Sequence, residues 1–101
     1  MNNIEEFNYI NDLYDIYRDL FTEKQIAIMD KYYKFNLSLK EISLELEISR
    51  SAVLDSINHC KEKLTEYELV LKLNQKRKNI RYILEKSNID IDVKEKIYKE
   101  L

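Results

Sequence analysis

The chain contains no glycine, no proline and no tryptophan, and only one cysteine and one histidine in 101 residues. Each shortage excludes something. Tight hairpin turns need positive φ, usually from glycine, so a sheet of hairpins is disfavoured, whereas helix–helix connections manage without it. Glycine-rich phosphate loops are ruled out. A lone cysteine, Cys60, forms no internal disulfide, which fits a reducing, cytoplasmic setting. No apolar run nears the roughly 18 residues of a membrane span. The first residues lack the basic-then-apolar pattern of a signal peptide. The acid–base balance is nearly even, at −2, so a strongly basic surface is also missing.

What is present is helical patterning. Hydrophobic residues make up 45% of the chain, enough for one small core, and one all-α domain over 1–101 is expected. Asn3, three residues before Glu6, reads as a helix start. Phe7, Ile10, Leu13, Tyr14, Tyr17, Leu20 and Phe21 then recur at spacings of three and four. Thr22-Glu23-Lys24-Gln25 is a capping box opening a second helix with Ile26, Met29, Tyr32 and Tyr33 inward. Phe35-Asn36-Leu37 breaks the pattern, with Asn36 suited to a left-handed turn. Ser38-Leu39-Lys40-Glu41 is a second capping box, and Leu39, Ile42 and Leu46 share the face it opens. Ser49 caps a third start, followed by Val53, Ile57, Cys60 and Leu64.

These elements form a helix-turn-helix core, about residues 22–64, with its central unit from Leu39 to Leu64. Ile42, Leu46, Ile48 and Val53 supply the apolar offsets and Ser43 the small residue. Glu47 stands where such turns favour glycine. Beyond lies a helical extension, about 65–101. No breaker interrupts Ser49 to Ser87, so a long helix is expected, with a bend near Leu73–Lys76 as the alternative. The heptad positions Ile57, Cys60, Leu64, Tyr67 and Leu71 suggest a homodimer seam, with Leu64, Tyr67 and Leu71 as its interface. Ser87 to Asp92 reads as a loop and Val93 to Leu101 as a last helix packing through Val93 and Ile97.

Thr22 to Gln25, Tyr32-Tyr33, Ser38-Leu39 with Glu41-Ile42, Ser49-Arg50, Ala52-Val53, Asp55, Ile57, Leu64 and Tyr67-Glu68 resemble region four of bacterial sigma factors. They are more closely similar to the small YlxM family of bacterial helix-turn-helix-like proteins, over roughly Phe7 to Leu73. The resemblance implies a sigma-region-four-like bundle. It also implies a role beside the signal recognition particle, through its RNA, its GTPase subunit or both. Ser43, Ser51 and Leu54 stand where the family usually has Ala, Gln and Tyr.

The candidate nucleic-acid contacts fall in two groups. On the recognition helix they are Arg50, Ser51, Asn58 and Lys61. There the outward pole carries Asp55 and Glu62, which repel phosphate. From Leu37 to Cys60 two bases face four acids. The second group is Lys72, Lys76, Arg77, Lys78 and Arg81, with no acid between Leu69 and Leu84 and with Tyr82 beside it. It reads either as a solvated face or as a backbone-binding patch. Duplex DNA is a competing partner and a protein-only homodimer a third possibility. His59 and Cys60, adjacent on a helix, share no face and make no metal site. Carboxylates are scattered, with neither a histidine partner nor a glycine-lined pocket, so neither an enzyme nor a cofactor is expected.

Overall fold

The structure, a computed structural model, describes residues 2–101. Among them every regular element is helical: α1 (Asn3–Tyr17), α2 (Glu23–Tyr33), α3 (Leu39–Leu46), α4 (Arg50–Leu71), α5 (Leu73–Lys86) and α6 (Ile91–Tyr98).

Side-chain caps set the helix starts. Asn2, not Asn3, caps α1, accepting from the Glu5 amide at 2.8 Å. Thr22 and Gln25 form the expected reciprocal box, as do Ser38 and Glu41. Ser49 Oγ accepts from the Ala52 amide at 3.0 Å. These contacts satisfy amides that the helices leave without partners.

Without glycine, the helix ends use other residues in the left-handed region. Among the described residues, Asn36 (φ 56°), Glu47 (φ 56°) and Lys72 (φ 55°) are the positive-φ positions. Asn36 tolerates this conformation well, whereas Glu47 and Lys72 adopt it against a Cβ clash. The tight turn after α3 is held by Glu47 and Ile48 amides, both bonded back to the Ser43 carbonyl.

The core is built around α4. Val53, Ile57, Cys60 and Leu64 are buried along one stripe of it. They meet Leu13, Tyr14 and Tyr17 of α1, Met29 and Tyr33 of α2, and Ile42 of α3. The expected α1 stripe stops short. Tyr17 ends the helix, a 3-10 turn follows over Arg18–Leu20, Leu20 points out, and Phe21 turns back into the core. Ile28, absent from the expected inward set, is buried as well. A polar clamp joins α1 to α2. Arg18 grips both Asp30 oxygens, at 3.2 and 2.8 Å, and Tyr14 Oη donates to Asp30 Oδ1 at 2.7 Å.

The long helix after Ser49 is interrupted at Lys72, just ahead of the window expected for a bend. Glu68 is the physical cause. Its carboxylate is folded back to accept the Asn74 and Gln75 amides at 3.0 and 3.1 Å, and so caps α5 from within α4. The heptad reading therefore fails in its first half. Ile57, Cys60 and Leu64 are consumed by the chain's own core and offer nothing to a second chain.

Beyond this joint the packing thins. Only Asn74 and Leu84 are buried in α5, and nothing in α6 is. The last helix starts at Ile91, capped by Asp90, so the loop is shorter than expected and Val93 is 44% exposed instead of packed. The molecule extends 53 Å along its long axis with a radius of gyration of 16.6 Å. A compact chain of this length would have about 13 Å.

Candidate nucleic-acid interface

The first candidate surface is the solvent side of α4. Arg50 and Ser51 are exposed in its first turn, placed there by the Ser49 cap. Asn58 is exposed about two turns further on. Asp55 and Glu62 are exposed on the same helix, as the 100° spacing requires. Lys61 is withdrawn from this set. Its ammonium donates to Glu6 Oε1 of α1 at 3.1 Å and the side chain is only partly exposed. The recognition surface thus has one uncommitted cation, Arg50, against two carboxylates. That is a poor match to a polyanion read at close range.

The second surface is α5 with the Lys72 joint. Among the described residues, no member of Lys72, Lys76, Arg77, Lys78 and Arg81 is in an ion pair. By contrast, Arg18, Lys31, Lys34, Lys61 and Lys63 in the main body each hold a carboxylate. The five bases do not form one patch. Arg77, Lys78 and Arg81 join Asn74 in lining a groove of about 240 Å³ against Asp12, Asp15 and Ile16 of α1. Asp15 is engaged by Lys34, so three cations there meet one uncommitted carboxylate, Asp12. Lys72 lines a separate recess with Tyr9, Thr65, Leu69 and Gln75. Lys76 lies about 100° around the helix from Arg77 and stands among apolar neighbours. Tyr82 is exposed, with Lys86 Nζ over its ring at 5.7 Å.

Leu64, Tyr67 and Leu71 separate in the same way. Leu64 is fully buried and so is corrected from interface to core. Tyr67 is partly buried against Tyr17 and Phe21, with ring centroids at 5.8 and 5.9 Å. Leu71 alone is exposed.

Two cations escaped sequence reading as candidates. Lys24 and Lys40 stand in the first turns of α2 and α3, as Arg50 does in α4, and none of the three is in an ion pair among the described residues. A base in the turn after each cap was the available signal. Lys24 shares a mostly apolar recess with Ile48, Ala52 and Ser56 beside the start of α4.

Burial pushes the Cys60 thiol up to about 11, so it stays protonated and inert at neutral pH. Among the described residues no group of three His, Cys, Asp or Glu side chains is placed to hold a metal, and no helix is long and apolar enough to cross a membrane.

Residues 4–101 match the family model described as "Putative helix-turn-helix protein, YlxM / p13 like", also designated UPF0122. The chain belongs to this family. The match runs through α5 and α6, well past the Leu73 limit of the sequence resemblance. A UPF0122 protein of Clostridium kluyveri is 44% identical over 77 residues, covering 76% of this chain and 69% of the relative. UPF0122 proteins of Bacillus cereus and Bacillus anthracis are each 37% identical over 98 residues, covering 97% of this chain and 89% of the relative. The family's description names a helix-turn-helix, a motif that suggests nucleic-acid binding.

Proposed function

We propose that this protein is a small cytoplasmic regulator that binds structured RNA through the phosphate backbone, using α5 and not the recognition helix. The observation that carries this reading is the contrast in cation engagement. The bases from Lys72 to Arg81 are free of ion pairs, while the recognition surface exposes Asp55 and Glu62 and has lost Lys61 to Glu6. Phosphate contacts come from unengaged cations, and carboxylates at the reading pole raise the cost of approach. The Arg77, Lys78 and Arg81 side chains are the main contacts. The helix-turn-helix serves as the rigid body from which α5 projects.

The family resemblance points to the signal recognition particle as the RNA-bearing partner, with its GTPase subunit as a second contact. The test is binding of the purified chain to signal recognition particle RNA and to duplex DNA across a salt series. RNA binding that weakens linearly in log–log form with salt, and exceeds duplex binding, supports the proposal. Sequence-preferring duplex binding overturns it in favour of a DNA-binding regulator. That second reading draws on one observation: Arg50 and Ser51 are exposed in the first turn of α4, where a groove-entering helix makes its contacts.

A further inference from the structure

We propose that two copies of this chain pair through α5, with the segment leading into α6 of each copy laid along α5 of the other. Three observations carry it.

First, α5 is uncovered where it should not be. Leu73, Ile80 and Ile83 fall within about 80° of its circumference. They are 42%, 38% and 62% exposed. Only Leu84 among the apolar side chains of α5 is buried. A helix of this length draws most of its stability from packing an apolar face, and this one packs little. Leu71, just before the joint, is 44% exposed as well.

Second, a matching surface lies on the same chain. Ile89 and Ile91 are 45% and 69% exposed and alternate with Asp90 and Asp92. The α5 strip carries Lys76 within it, and no acid occurs from Leu69 to Leu84. One surface is apolar and acidic, the other apolar and basic. Within one chain they do not satisfy each other: neither Asp90 nor Asp92 is in an ion pair among the described residues. A two-fold axis brings each surface onto its complement twice, which a foreign partner would do only once.

Third, the dimensions suit pairing. A stable dimer buries about 800 Å² per partner. The chain is drawn out to 53 Å, with α5 and α6 adding length more than bulk. The exposed apolar residues of α5 and of the segment leading into α6 lie on these projecting elements, where a second copy can cover them without disturbing the core.

The pairing leaves the function proposed above intact. Arg77, Lys78 and Arg81 occupy the other flank of α5, toward α1, and stay free in the dimer.

The experiment is sedimentation of the purified full chain at micromolar concentration, without RNA. A dimer is expected. Ile80→Asp and Ile83→Asp should each give a monomer with unchanged helicity, because both side chains are exposed and the core does not use them. Asp92→Lys, which leaves the Asp90 cap in place, should weaken the dimer severalfold, and adding Lys76→Glu should restore it. A monomeric wild-type chain overturns the proposal, as does a dimer untouched by Ile80→Asp. A dimer lost on Ile80→Asp but indifferent to the charge exchange overturns the placement of the α6 lead.

Discussion

Tyr17 donates its hydroxyl hydrogen to Glu68 Oε1 at 2.8 Å, across 51 residues of sequence. The same hydroxyl accepts the Leu73 amide at 3.3 Å, and the same carboxylate takes the Asn74 and Gln75 amides. Burial, then the hydrogen bond to Glu68, pushes the Tyr17 phenol up from its ordinary value, so it remains a donor at any working pH. The end of α1, the end of α4 and the start of α5 are tied at one buried polar point. The direction in which α5 leaves the body is set there.

Glu68→Ala should therefore cost about 2–3 kcal/mol, since it strands a buried hydroxyl and two amides. Hydrogen exchange at Asn74 to Ile83 should accelerate more than exchange in α4. Urea unfolding and exchange on the same variant check both halves. Equal acceleration throughout would mean the joint is not a local hinge.

Glu47→Gly should stabilise the fold by on the order of 1 kcal/mol, because Glu47 holds φ 56° and ψ 42° with a Cβ in the way. The denaturant midpoint should rise with an unchanged slope.

Leu64→Ala should cost about 2–5 kcal/mol, as a wholly buried side chain leaves a cavity. Leu71→Ala, at an exposed position, should change monomer stability little. Thermal unfolding of the two side by side separates core from surface.

Asp30 provides a pH dependence. The Arg18 guanidinium, helped by the Tyr14 hydroxyl, holds its carboxyl below the ordinary 3.8 in the folded chain. The unfolded chain therefore binds the proton more readily. The contribution is whole above about pH 4 and fades as the pH falls through the lower folded value. The stability gap between wild type and Asp30→Asn should be open at neutral pH and close under acid. A gap that widens on acidification would contradict this.

Most of the core was legible because its signals are local. Capping boxes at Thr22 and Ser38, the Ser49 cap and the 3.6-residue stripe of α4 each lie within a few residues, and helix starts depend on such neighbours. Asn36 and Glu47 were readable as turn residues for the same reason. The break at Lys72 was legible only as an alternative bend near Leu73–Lys76, because its cause is a carboxylate at Glu68 held by Tyr17, and neither residue type marks a helix end. The heptad from Ile57 to Leu71 misled because α1, α2 and α3 of the same chain cover Ile57, Cys60 and Leu64. Periodicity reveals that a stripe is apolar but not whether its cover is the same chain or another. At the candidate site, charge counting located the basic run from Lys72 to Arg81. It missed the division of that run around α5 and the capture of Lys61 by Glu6, both of which depend on α1.

The measurement that bears most directly on the account compares two variants for binding to signal recognition particle RNA at fixed salt. One carries Arg77→Glu, Lys78→Glu and Arg81→Glu; the other carries Arg50→Ala and Ser51→Ala. The account predicts that the first loses affinity about tenfold or more and shows a shallower salt dependence, while the second binds nearly as the wild type does. Binding that survives in the first variant and vanishes in the second would contradict it.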